Sequence, residues 1–401
     1  MTATPESTSE KKCNIFNKKI NGLLILCCCF LGGYLVSLCV GSLGDLGIFG
    51  SRTEPMVEPV PQPVEITILA AGDNLLHNTV TSDAKMADGS YDFTPIYQYV
   101  KPWIEQADIA FVNQETPTNP NKAPSGYPAF NAPVSAVEGL IASGFDVVNF
   151  ANNHIMDTGA KGAAATYEQW AHREDVAITG LFGSEEERKH KVTVIERQGF
   201  RFAFLSYTYG TNGIPVKQPW QVALIDTADI EGDIARAKEQ ADFVIVNYHW
   251  GVEYQLTPNR TQTTLAQRTA DAGADLILGG HPHVIQPIEN IVAADGRTVP
   301  VIYSLGNFIS SQKKTDTLLG AMVEITISGV EGDPQSLAIS TIQALPLVQH
   351  YEKGYQGYRV YLLEDYTEEL AAKHLANGLG AKVDIDYYQA LAEKIFGSYL
   401  K

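Results

Sequence analysis

The chain has 401 residues, 45% of them hydrophobic, which is enough apolar material for one sizeable α/β domain. All five cysteines (Cys13, Cys27, Cys28, Cys29 and Cys39) lie near the N-terminus, so the rest of the chain has no disulfide, cysteine-ligated zinc or thiol nucleophile. The formal net charge is −17; residues 1–64 balance Lys11, Lys12, Lys18, Lys19 and Arg52 against Glu6, Glu10, Asp45, Glu54 and Glu58, so the excess lies beyond them. This argues against nucleic acid as a partner, because its phosphates are bound largely through lysine and arginine, and leaves an anionic ligand to be met by a local positive feature such as bound metal.

In chain order, the first feature is an uncharged run over residues 22–40, GLLILCCCFLGGYLVSLCV, close to the roughly 20 residues a spanning helix needs. Four lysines precede it and Asp45 is the first charge after it, so residues 1–21 are expected in the cytoplasm and the large C-terminal part outside. We take 22–44 as a transmembrane anchor; cleavage within Gly41-Ser42-Leu43-Gly44 stays open. A lipoprotein signal fits poorly, because Leu26 and Leu38 precede Cys27 and Cys39. Residues 45–64 carry Pro55, Pro59, Pro61 and Pro63 and read as a semi-rigid linker.

Beyond the linker, short β-branched runs alternate with amphipathic stretches. Strands are expected at 65–71, 109–113, 147–151, 177–180, 192–197, 201–207, 243–249, 276–280, 300–304 and 321–327. Helices are expected at 133–143, 160–173, 227–240, 260–272, 366–376 and 387–396. This alternation predicts a layered α/β domain over 65–345 with a mostly buried sheet. The pair joined across Gln198-Gly199 reads as a hairpin and makes the sheet mixed. Residues 346–401, polar and partly helical, are expected to be a C-terminal extension.

The strand ends carry the chemistry. The run at 65–71 is followed by Gly72-Asp73 and His77, that at 109–112 by Asn113-Gln114-Glu115, and that at 147–151 by Asn152-Asn153-His154 and Asp157. Later runs lead into His249-Trp250-Gly251, Gly279-Gly280-His281-Pro282-His283 and Ser304-Leu305-Gly306-Asn307-Phe308. Open α/β sheets gather ligands at the carboxyl ends of their strands, and five of the nine histidines sit there. A single histidine or Gly-Asp is ordinary structure. Carboxylate, imidazole and amide together suit a divalent ion: Mn, Fe, Zn or Mg, one ion or two. His172, His190, His350 and His374 read as surface residues, residues 122–133 as a lid or plain loop, and Trp250 and Tyr254 as packing or cleft lining.

This order of motifs resembles the CapA-type capsule-synthesis (poly-γ-glutamate biosynthesis) proteins, related to the calcineurin-like metallophosphoesterases, over about residues 65–309. The resemblance implies a metallophosphoesterase-like fold in which Asp73 serves a first metal and Glu115 bridges. Asn153, His249 and His281 would hold a second metal, and His283 would return to the first. His154 would face the substrate as acid or charge stabiliser, oriented by Asp157, and Asn307 would bind ligand or cap a turn. Two departures stand out: His77 follows Asp73 by four positions where the superfamily has Asp-x-His, and Asn113-x-Glu115 replaces its Gly-Asp.

The function implied is a membrane-anchored, extracytoplasmic capsule-biosynthesis protein acting with membrane synthesis and export partners on an anionic polymer or phosphoester. The alternatives are a surface metal-dependent phosphatase or phosphodiesterase with no capsule role, and a non-enzymatic scaffold of an export complex. A neighbouring gene for an ATP-dependent amide ligase would favour the first.

Overall fold

Strand positions follow from where apolar residues run together, and strand faces from their alternation. The computed structural model describes residues 61–401, which form one unit. The expected cytoplasmic segment, the anchor and nearly all of the linker lie outside the described residues. Among the described residues no helix is long and apolar enough to cross a membrane.

The strands in chain order are β1 (Pro63–Asn74), β2 (Ile109–Gln114), β3 (Val147–Asn149), β4 (Ala177–Thr179), β5 (Thr193–Arg197), β6 (Phe200–Thr208) and β7 (Phe243–His249), followed by β8 (Leu276–Gly280), β9 (Ile285–Val292), β10 (Thr298–Leu305), β11 (Asn307–Ile309), β12 (Leu319–Val330), β13 (Asp333–Glu352) and β14 (Gln356–Leu362). They build two mixed sheets rather than one. The first runs β14-β13-β12-β1-β2-β3-β4, with β11 beside the end of β1; the second runs β5-β6-β7-β8-β10-β9. β1 to β4 are mutually parallel, as are β6 to β8. The hairpin of β5 and β6 turns on Gln198 and Gly199 with φ +50° and +82°, the left-handed pair a two-residue turn requires.

Period-two alternation explains how the sheets stack. In β6, Phe200, Phe202 and Phe204 enter the core between the sheets, while Ala203, Leu205 and Tyr207 face an outer cluster. That outer cluster also takes Ile234 and Ala237 from the helix Ile230–Gln240, and Leu265 and Ala266 from the helix Arg260–Asp271. In β7, Phe243 and Ile245 point inward and Val244, Val246 and Tyr248 outward, so the same parity carries His249 inward. Phe204 stacks on Phe111 of β2, with centroids 6.0 Å apart and planes 8° from parallel. The two parallel sets therefore end at one place between the sheets.

Two expectations are corrected. The domain boundary at 345/346 falls inside β13, and residues 346–352 and 356–362 are strand, so the supposed helical extension begins by continuing the first sheet. The helix Ile385–Phe396 is also integral, because Tyr388, Leu391, Ile395 and Phe396 belong to the main core. Second, His350 and His374 are buried rather than exposed: His350 Nδ1 meets Tyr366 Oη at 2.7 Å and His374 Nε2 meets the Gln349 carbonyl at 2.9 Å.

Candidate metal centre

Each site residue is delivered by a strand end. β1 breaks register between Ala71 and Asp73, and there Asp73 N–H donates to the Gly306 carbonyl at 2.9 Å. A Cβ on Gly72 would stand 2.0 Å from that carbonyl oxygen, so only glycine lets the two backbones meet. Asp73 Oδ1 accepts from Asn113 Nδ2 at 2.8 Å, and Asn149 Nδ2 donates to Asn113 Oδ1 at 2.8 Å, an amide chain across β1, β2 and β3. His281 N–H donates to Asp73 Oδ2 at 3.1 Å. A Cβ on Gly280 would lie 2.6 Å from Asp73 Oδ1, which explains that glycine too.

On this frame the ligand atoms converge. His283 Nδ1 lies 3.1 Å from Asp73 Oδ2, an ion-pair separation. Glu115 Oε1 stands 3.7 Å from His283 Nε2 and 3.4 Å from His249 Nε2, and His249 Nε2 is 2.9 Å from Asn153 Oδ1. Two candidate ligand groups result, Asp73–Glu115–His283 and Glu115–His249–His281, all buried and sharing Glu115. Both Glu115 oxygens, His281 Nδ1 and His283 Nδ1 are buried without a hydrogen-bond partner. Such orphaned groups are costly unless something charged satisfies them, and atoms around one divalent ion with bonds of roughly 2.1 Å stand about 3 Å apart. The residues present therefore fit one or two ions.

Over residues 67–312 the chain matches the family described as bacterial capsule synthesis protein PGA_cap. The chain belongs to that family. It is 35% identical over 237 residues to the PGA biosynthesis protein CapA of Bacillus subtilis (strain 168), covering 57% of this chain and 60% of that one. It is 32% identical over 290 residues to the capsule biosynthesis protein CapA of Bacillus anthracis, covering 68% of this chain and 67% of that one. A hypothetical protein of Thermus thermophilus, solved by crystallography, aligns with 70% of this chain and 99% of its own at TM-score 0.39 and 16% identity, too loose a likeness to bear on the site.

In this PGA_cap member the electrostatics follow from burial and like charge. Burial pushes the Asp73 carboxyl up, but His283 outweighs it and holds the pKa at about 2. Burial and then the Asp73 charge push Glu115 up to about 8. His283 is raised to about 9 against its own burial, by Glu115 and Asp73. Burial lowers His249 to about 3 and holds His281 well below its ordinary value, so both are neutral donors of a lone pair.

His154 Nδ1 contacts Asp157 Oδ2 at 2.8 Å, and that oxygen also accepts from Phe130 N–H at 2.8 Å. The Phe130 ring stands edge-on to both His154 and His77, so the 122–133 loop reaches the site. His77 joins no ligand group among the described residues: its Nδ1 accepts from Ser311 N–H at 3.2 Å, and burial lowers it to about 4. Asn307 Nδ2 donates to the Thr317 carbonyl at 3.0 Å and lies 3.4 Å from the His283 carbonyl, so it braces the histidine loop. Trp250 is core, its Nε1–H donating to the Tyr303 carbonyl at 2.9 Å. Two residues escaped the sequence reading. Glu253 forms a third group with His281 and His283, and Asn212 accepts from Asn153 Nδ2 at 3.2 Å. Both sit in loops with no periodic signal; only the motif His249-Trp250-Gly251 just before Glu253 pointed near one of them.

Proposed function

We propose that this chain is a capsule-biosynthesis protein whose body stands outside the cell, tethered by residues 22–44. In this reading it uses one or two divalent ions (Mn, Fe, Zn or Mg) on an anionic polymer or a phosphoester, beside membrane synthesis and export partners. The observation that carries it is the pair of buried ligand groups sharing Glu115, in a chain of a capsule-synthesis family. The names of the two CapA relatives support the biological setting.

When bound, the ions would supply charge stabilisation and an activated water for hydrolysis. The chain's own residues do the rest. Asp157 accepts from His154 Nδ1, which leaves Nε2 as the nitrogen that takes up a proton and, once protonated, donates it to a substrate oxygen. Asn113 and the His281 N–H fix both oxygens of Asp73. At the rim, Lys314 Nζ lies 3.3 Å from the centroid of the Tyr254 ring, whose own centroid is 6.5 Å from that of His283. That lysine offers an anion a local positive contact in an otherwise acidic body.

The test is metal content and hydrolysis together, on the full chain in mild detergent. Wild type is expected to retain about one to two equivalents of ion and to cleave an aryl phosphate with added Mn²⁺, and His281→Ala to lose both. A wild type that takes up no ion contradicts the site. Ion uptake without cleavage, in a protein whose deletion abolishes capsule, points to the scaffold instead.

A further inference from the structure

The residues of the two groups that share Glu115 are deeply buried: Asp73, Glu115, His249, His281 and His283 are each at most 4% exposed. An ion must reach them from outside. Glu253 is the carboxylate on the solvent side, exposed, with its ligand atom and those of His281 and His283 all within 4.8 Å of one another.

This third group is built by the backbone. Trp250 N–H donates to the Gly280 carbonyl at 3.1 Å and Tyr254 N–H to the Pro282 carbonyl at 2.8 Å, so the loop after β7 is laced to the loop after β8. Tyr254, His281 and His283 all take left-handed φ, at +68°, +93° and +58°. Non-glycine residues hold that conformation only where their surroundings impose it, and such strain gathers at functional sites. His281 Nδ1 and His283 Nδ1 are buried with no hydrogen-bond partner. Both histidines also belong to the inner groups, one with Glu115 and His249, the other with Asp73 and Glu115. The outer group and the inner groups therefore share these two imidazoles, and the same side chains reach from the exposed carboxylate to the buried ones.

We propose that Glu253, His281 and His283 form an outer loading position, from which a divalent ion passes to the buried positions by ligand exchange. The ion first exchanges some of its water for the exposed Glu253 carboxylate and the two imidazoles. Glu253 and His283 would then give way to Glu115 and His249, or Glu253 and His281 to Glu115 and Asp73, and in either case Glu253 would end free and solvated. Glu253 thus governs the rate of loading and not the final occupancy. The inference rests on the metal reading of the inner groups.

The experiment strips the full chain with a chelator and follows Co²⁺ uptake by stopped-flow, through the visible absorption that imidazole and carboxylate ligation produce. Glu253→Gln is expected to take up Co²⁺ on the order of tenfold more slowly, with the same final stoichiometry. Glu253→Asp, which keeps the charge but shortens the reach by one methylene, is also expected to load slowly. Wild-type uptake in Glu253→Gln overturns the proposal. So does wild-type uptake in Glu253→Asp alone, which would reduce Glu253 to a diffuse attraction. A lower final stoichiometry in Glu253→Gln also overturns it, by making Glu253 a permanent ligand. Wild type that binds no Co²⁺ at all removes the inner metal site itself, a distinct result.

Discussion

His283 faces two carboxylates at once, and the three groups cannot all take their ordinary charge in a buried place. Burial and the Asp73 charge raise Glu115 to about 8, and against its burial the facing carboxylates raise His283 to about 9, so the three groups together hold protons past neutral pH in the metal-free protein. The sign for stability follows directly. A raised folded value means that the stabilisation from protonated His283 is complete below its unfolded value near 6.5 and is lost as pH rises through about 9. Metal binding runs the other way, because both ligands must shed protons. Affinity for Mn²⁺ is therefore expected to climb as pH rises towards about 9, with net proton release seen by calorimetry in buffers of different ionisation heat. Affinity that stays flat over this range would show that Glu115 and His283 are not ligands. His249 and His281, already neutral, add no dependence near pH 7.

At the scale of elements, the two sheets meet through Phe111 and Phe204, each 1% exposed. Phe204→Ala should cost about 3–5 kcal/mol of unfolding free energy in urea, from lost burial and the cavity left behind. Because Phe111 and Asn113 share a face of β2, the same variant should weaken metal binding although it touches no ligand. A metal affinity equal to wild type after this loss of stability would separate the sheet contact from the site.

Strands with apolar runs ending in polar turns were legible in the sequence, which is why Asp73, Glu115, Asn153, His249, His281 and His283 could be named from it. Their meeting point was not, because β6, β7 and β8 are apolar on both faces and a continuous run hides which residues look which way. β13 was missed because its first half is largely exposed and polar, and Pro346 interrupts it; β14 pairs with β13 only from Leu347 onward. His77 looked like a ligand by proximity along the chain. It stands just before the helix Asn78–Asp83, and its ring is turned onto Phe130 and Ser311.

For the whole molecule, the C-terminal residues close the first sheet and feed the core with Tyr351, Tyr358, Tyr388 and Phe396, each at most 2% exposed. A chain ending at residue 345 is expected to lose cooperative thermal unfolding by circular dichroism. Removing several fully buried aromatics at about 3–5 kcal/mol each exceeds the roughly 5–15 kcal/mol that holds a domain folded. A wild-type melting midpoint in that truncation would make residues 346–401 the dispensable extension that their composition suggests.

The hydrogen bond between the His281 N–H and Asp73 spans 208 positions of chain. Bringing those ends together is slow, because the entropy of closing so long a loop is lost before any distant contact rewards it. Almost the whole of both sheets must be in place before the ligands stand side by side. In the life of one molecule an ion held there would thus be the last component to arrive, a mark that folding has finished rather than its seed.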